Sequence, residues 1–256
     1  MKIISLVPSL SETLAELGFR ASMIGITQFC VYPSGLHRSC QIIGGTKTPD
    51  MEKMKRLQPT HIFVNGEENT EPHIRECQNI APTLTTFPKS PQDVPQMLRD
   101  MGNHLCEPSP FEDLAQELEQ LIGTLALSME TNINRYLYFI WRNPYMVAGQ
   151  DTYISNLLSA VNWKNECPHK DRYPVIDLKK MNWKKIDRVL LSSEPFPFRK
   201  RHAKELRNFI GPSAPDIYWV DGRIISWYGW TTVKALRLLL AIQDKRNMTH
   251  LIRPIG

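Results

Sequence analysis

At 256 residues, with 42% hydrophobic and 22% charged side chains, the chain can bury a core in one large or two ordinary α/β domains, and its composition is neither disordered nor fibrous. The net charge of +5 is spread along the chain apart from one basic run, Arg199, Lys200, Arg201, His202 and Lys204. That run reads as a solvated helix face, and without a recognisable nucleic-acid-binding motif no nucleic acid partner is expected.

The five cysteines, Cys30, Cys40, Cys77, Cys106 and Cys167, are odd in number, far apart and without a C-x-x-C pair. This argues against a disulfide framework or structural zinc and fits a reducing compartment. Met1-Lys2 runs into Ile3 to Val7, which Pro8 ends, a stretch shorter than the about 7–15 apolar residues of a secretory signal. No segment approaches the about 18 apolar residues of a membrane span. Read on its own, the sequence implies a cytoplasmic protein without a signal peptide or transmembrane segment.

In chain order, Ile3 to Val7 predicts a buried strand, followed by a helix from about Ser11 to Leu17 that Ser9 or Ser11 caps, with Glu12 in its first turn and Gly18 closing it. A strand near Met23 to Thr27 leads through an aromatic loop, Phe29 to Pro33, to Gly44-Gly45-Thr46-Lys47. A helix over Met51 to Leu57 and a strand over His61 to Val64 follow, the strand delivering Asn65-Gly66-Glu67-Glu68-Asn69. Thr83 to Phe87 is a short strand, and Ser90 to Met101 a helix begun by a serine cap and proline. Leu114, Leu118, Leu121, Leu125 and Met129 recur every three or four residues, predicting one helix from Phe111 to about Asn132. At 1.5 Å per residue it would be about 30 Å long, enough to connect two lobes.

The same grammar then repeats. Leu137 to Trp141 predicts a strand, Arg142 to Gln150 a loop, and Thr152 to Ala160 a helix capped by Asp151. Arg188 to Leu191 is a strand delivering Ser192-Ser193-Glu194-Pro195, Ile217 to Val220 another, and the final helix runs from about Thr231 to Ile242. The expected fold is α/β, with two Rossmann-like lobes joined by one long connecting helix and a ligand cleft between the lobes. The expected divisions are an N-terminal lobe over 1–106, a connecting helix over 107–132 and a C-terminal lobe over 133–256.

Ligands of open parallel sheets bind beyond the carboxyl ends of the strands, so the loops following the strands hold the candidate site. These loops carry Pro8, Ser9, Phe29, Tyr32, Thr46, Lys47, Asn65 and Glu67 in the first half. In the second they carry Arg142, Glu194, Phe196, Trp227, Tyr228 and Trp230. Three large aromatics around Gly229, at a strand-to-helix junction, suit the face of a flat macrocyclic or polycyclic ligand. Glu67, Glu68 and Glu194 have no partnered nucleophile, and the seven histidines, without H-x-x-x-H spacing, read as ordinary surface or loop residues. G-x-x-x-x-G-K-[ST] and G-x-G-x-x-G are both absent, so no nucleotide chemistry is expected. Neither catalytic residues nor a metal site are assigned.

The run Ile4-Ser5-Leu6-Val7-Pro8-Ser9-Leu10-Ser11-Glu12-Thr13-Leu14, Gly25-Ile26-Thr27 with Tyr32-Pro33, and Gly44-Gly45-Thr46 with Met51-Glu52 resemble the class III periplasmic binding proteins. These are the helical-backbone metal receptors of ABC importers for vitamin B12, ferric siderophores and haem. Ser192 to Phe198 and Ser226 to Gly229 are similar to segments of the cobalamin-receptor-like branch. The resemblance implies two α/β lobes on a rigid helix, with a preformed aromatic cleft. Its cleft aromatics match Phe29, Tyr32 and Trp227 or Tyr228, whereas Thr46 stands where the family has a further aromatic.

The resemblance also implies docking on an ABC importer permease through one glutamate per lobe. Glu52 matches the first, and the second falls near Lys179-Lys180, where the reversed charge would repel the same partner. The family implies the periplasm, in contrast to the start of the sequence. The resulting expectation is a monomeric substrate-binding protein, not an enzyme. It has no intrinsic cofactor and takes cobalamin, haem or a ferric siderophore as ligand. Phe29, Tyr32, Trp227, Tyr228 and Trp230 would lie on the ligand's faces, and Lys47, Glu67, Arg142 and Glu194 on its polar rim. The alternatives are a cytoplasmic carrier on the same fold, or an enzyme using Glu67 or Glu194 as general base.

Overall fold

The computed structural model describes residues 1–127, 133–167, 169, 172–243 and 252–254. The strands are β1 (Ile3–Ser5), β2 (Met23–Ile26), β3 (Gln41–Ile42), β4 (His61–Asn65), β5 (Thr83–Thr86), β6 (Asn134–Trp141), β7 (Met146–Val147), β8 (Trp163–Asn165), β9 (Arg188–Ser192), β10 (Asp216–Val220) and β11 (Ile252–Pro254). The helices are α1 (Pro8–Glu16), α2 (Leu36–Ser39), α3 (Met51–Leu57), α4 (Glu71–Ile80), α5 (Val94–Leu105), α6 (Ser109–Leu127), α7 (Tyr153–Ser159), α8 (Lys200–Ile210), α9 (Gly222–Ser226) and α10 (Trp230–Gln243). Two compact units result. The first comprises Met1–Pro88, Asp93–Glu119 and Tyr228–Thr231; the second comprises Lys89–Gln92, Gln120–Trp227 and Thr232–Gly256.

The first unit is built on an all-parallel sheet of order β3-β2-β1-β4-β5. Ile4 and Leu6, with Ile62 and Val64, bury one face against Met51 and Met54 of α3 and Cys77 of α4. The alternate residues turn the other way, as the two-residue period of a strand requires. Phe63 there meets His104 of α5 edge-on at 5.2 Å, and His61 meets the same ring at 5.1 Å.

The second unit holds a sheet of order β11-β10-β9-β6-β7, with β8 pairing the start of β6 in parallel and β7 its end in antiparallel. Leu137 and Phe139 of β6, Val189 and Leu191 of β9 and Ile217 of β10 form its core with Ala203 and Leu206 of α8.

Most expected elements are present within a few residues of their expected bounds, but the caps differ. Helix α1 starts at Pro8 after an extended Val7, earlier than expected; Pro8 presets the first helical φ, and neither serine is the cap. Ser11 instead lies inside the helix, its hydroxyl 3.0 Å from the Val7 carbonyl and 2.8 Å from Ser5 Oγ, and Glu12 is buried beyond the first turn. Thr152, not Asp151, caps α7, its Oγ1 accepting from the Ser155 N–H. A 3-10 turn, Pro91–Asp93, takes the place of the expected start of α5, which begins at Val94 and runs on to Leu105. Residues 128–132 of the expected connecting helix lie outside the described residues. Of the histidines, His202 is buried within α8 and His61 sits on a strand, so neither is an ordinary surface or loop residue.

Burial lowers the affinity of His61 and His104 for protons, and each is lowered further by positive charge nearby, the amino terminus for His61 and His61 itself for His104. The unfolded chain therefore binds protons at these rings that the folded unit resists. The stability they permit is fully present above about pH 6.5 and is lost as pH falls through their depressed folded values. Urea-unfolding midpoints are expected to drop between about pH 7 and 5. His104→Phe, which keeps an aromatic ring against Phe63, is expected to flatten that dependence; an unchanged slope would assign it to other groups.

Candidate ligand-binding faces

Because every strand of the first sheet is parallel, the loops after β1, β2, β4 and β5 emerge along one edge. Side chains from these loops bind them together. Asn65, at the end of β4, accepts on Oδ1 from the N–H groups of Glu67 (2.9 Å) and Glu68 (3.1 Å) and donates from Nδ2 to the Thr86 carbonyl (2.8 Å). Asn69 Oδ1 accepts from the Asn65 N–H, and its Nδ2 donates to the Thr46 carbonyl at 2.8 Å, tying in the loop after β3. Beneath the loop after β2, the buried Cys30 thiol lies 3.1 Å from Ser11 Oγ and 3.2 Å from Thr27 Oγ1. Burial pushes this thiol above its ordinary pKa, so it stays protonated.

Large apolar side chains stand on this framework in the open: Phe29 is 51% exposed, Tyr32 44%, Phe87 45% and Trp230 38%. Phe29 and Tyr32 follow the end of β2 and Phe87 the end of β5, and exposed rings beyond the carboxyl ends of parallel strands are candidates for a binding surface. Tyr228 is buried instead, beside Ser9, Thr86, Glu67 and Glu68, and burial holds its phenol well above the ordinary tyrosine pKa. It anchors the Tyr228–Thr231 segment on the first unit.

In the second unit, β6 ends at Trp141, 40% exposed, whose ring meets Phe196 at 5.8 Å. Arg142 Nη2 donates to both carboxylate oxygens of Glu205 on α8, at 2.7 and 2.8 Å. This pairing holds the Glu205 carboxyl below its usual range. Ser192, at the end of β9, donates to the Glu194 carbonyl at 2.6 Å and accepts from the buried Tyr138 hydroxyl at 3.1 Å. The loop after β10 reaches it only because residue 222 is glycine: a Cβ there would lie 2.3 Å from Ser192 Oγ and 2.8 Å from Glu194 Cγ.

The structure thus distributes the expected residues over two faces, one in each unit. In the first unit Phe29, Tyr32, Lys47 and Trp230 are exposed, Thr46 and Glu67 half-buried, and Pro8, Ser9, Asn65 and Tyr228 buried. In the second, Arg142, Glu194, Phe196 and Trp227 are half-buried. Sequence reasoning missed Phe87 and Trp141, both exposed where a strand ends. Trp141 closes β6 and Phe87 directly follows β5, and an aromatic at or just past a strand's end was the available signal. Among the described residues, no helix is long and apolar enough to cross a membrane, and no group of three or more His, Cys, Asp or Glu side chains is placed to hold a metal ion.

Removing the Asn65 side chain takes the acceptor from two half-buried N–H groups, those of Glu67 and Glu68, and one of two donors from the Thr86 carbonyl, which keeps the Gly66 N–H. Asn65→Ala is expected to cost about 2–4 kcal/mol in denaturant titration. Asn65→Asp, which keeps the acceptor, is expected to cost less; equal costs would mean that the loop amides do not depend on it.

A family model described as periplasmic binding protein matches residues 3–209. A vitamin B12-binding protein of Pectobacterium carotovorum is 22% identical over 169 residues, 64% of this chain, and the chain spans 60% of that relative's length. A periplasmic heme-binding protein from Pseudomonas aeruginosa shares the fold with a TM-score of 0.80 at 16% identity, covering 100% of this chain and 98% of that one. The periplasmic vitamin B12 binding protein BtuF of Vibrio cholerae does so with 0.78 at 16%, covering 96% and 98%. With the family model matching 207 of the 256 residues, the chain belongs to the periplasmic binding protein family.

Proposed function

We propose that the chain is the substrate-binding protein of an ABC-type importer and that its ligand is a corrinoid, another tetrapyrrole such as haem, or a metal chelate such as a ferric siderophore, in that order. The observation that carries this reading is the set of exposed aromatic rings on the first unit, Phe29 and Tyr32 after β2, Phe87 after β5, and Trp230. Rings supply large contact area with few torsions to freeze, which favours a broad planar partner over a small flexible one. The relatives named above as vitamin B12- and heme-binding proteins support the same ligand class. On the first unit, Lys47 and Glu67 would meet polar substituents of the ligand; on the second, Trp141, Phe196 and Trp227 with Arg142 and Glu194 form a separate candidate face. The division into lobes over 1–106 and 133–256 with a connecting helix over 107–132 belongs to this proposal.

Docking on a permease would use Glu52, exposed on α3, where Lys55 pairs with it at 2.8 Å. The exposed Lys179 and Lys180 favour a second reading, a binding protein that lacks the matching contact on its second unit.

Isothermal titration with cyanocobalamin, haem and a ferric siderophore tests the ligand class. Saturable binding to one of them is expected, weakened about 5- to 30-fold by Phe29→Ala or Tyr32→Ala. Binding to none of the three would overturn the ligand class, and binding indifferent to both substitutions would move the site off these rings.

A further inference from the structure

The first four N–H groups of an α-helix have no partner within the helix, and a side-chain oxygen just before it normally satisfies one of them. Helix α10 begins at Trp230, and the residue before it is Gly229, which has no side chain to offer. The acceptor comes from elsewhere in the first unit: the Trp230 N–H donates to Thr13 Oγ1 of α1 at 3.0 Å, across 217 positions of sequence. Thr13 is fully buried, and its own hydroxyl proton goes to the Ser9 carbonyl at 2.8 Å. One hydroxyl thus donates once and accepts once, with its orientation set by α1. Glycine is required for the approach. A Cβ at residue 229 would lie 2.2 Å from Thr13 Oγ1, and its φ of 88° is one that other residues rarely adopt.

We propose that Thr13 is a positioning residue for ligand binding: its hydroxyl caps α10 from a distance and fixes where the exposed Trp230 ring stands on the first unit. This rests on the ligand-binding reading above for its functional half. The structural half, a tether from Thr13 to the Trp230 amide, stands apart from any ligand. Thr13 touches no ligand in this scheme and acts only through residues 229 and 230.

Two measurements on the full chain test the two halves. Amide hydrogen exchange at Trp230 reads the tether: Thr13→Val, of the same shape but without the hydroxyl, is expected to lower protection roughly 5- to 30-fold, while Thr13→Ser keeps it. Protection of β4 amides in the same samples reports whether the unit itself remains folded. Affinity for whichever of cyanocobalamin, haem or ferric siderophore binds the wild type reads the function. Thr13→Val is expected to weaken it about as much as Trp230→Ala, with no further loss when the two are combined. Unchanged Trp230 protection in Thr13→Val would overturn the tether, and lost protection with unchanged affinity would overturn its positioning role. A wild type that binds none of the three probes would overturn the ligand reading instead, with the exchange result still deciding the tether.

Discussion

Parallel pairing is the constraint on which the first unit's chemistry depends. A strand that runs the same way as its neighbours must return by a crossover, so the loops leaving the carboxyl ends of β1, β2, β4 and β5 collect along one edge and the returning loops along the other. The hydrophobic strand interiors, Ile3-Ile4 and Ile62-Phe63-Val64, secure the sheet and leave the loops free to carry polar and aromatic side chains. The second unit follows the same rule through β6, β9 and β10, with short antiparallel additions at its margins.

Gathering loops on an edge does not order them, because irregular backbone needs partners for its polar groups. In each unit this task falls to a few short, buried side chains. Asn65 and Asn69 bind the loops after β3, β4 and β5 to one another. Ser192 does so around Glu194, and Thr13 does so for the start of α10. All four side chains are buried. The loops are thus braced by buried amides and hydroxyls bonded to their backbone.

Local patterns made much of this legible in the sequence. The run Met51 to Leu57 appears as a helix with those same ends because Asp50 caps it, accepting from the Lys53 N–H. The apolar strands were legible through their flanking turn residues, and the aromatic loops through composition. What was not legible depended on distant partners. Helix α4, with the polar sequence from Glu71 to Ile80, is amphipathic only around Cys77 and its neighbours, and β8 exists because Trp163 to Asn165 pairs with β6. Tyr228 and Trp230 looked equivalent as two aromatics flanking one glycine, yet one is buried and the other open. That difference is set by Ser9, Thr13 and Thr86, none of them near in sequence. The capping errors have the same origin: Pro8 can begin α1 without a cap, so the serines behind it were free for other bonds.

The insertion of Tyr228–Thr231 among residues of the first half bears on how the chain is made. A ribosome adding about 5–20 residues per second delivers residue 230 on the order of ten to forty seconds after residue 13. Throughout that interval the β1-α1 layer can be assembled, but the slot for the Tyr228 ring and the acceptor on Thr13 have nothing to hold. The nascent first unit therefore leaves the surface that Tyr228 covers, beside Ser9 and Thr86, open to solvent until residue 228 arrives. Closure of the unit is the last folding event its sequence permits, and it depends on a glycine encoded near the end of the chain.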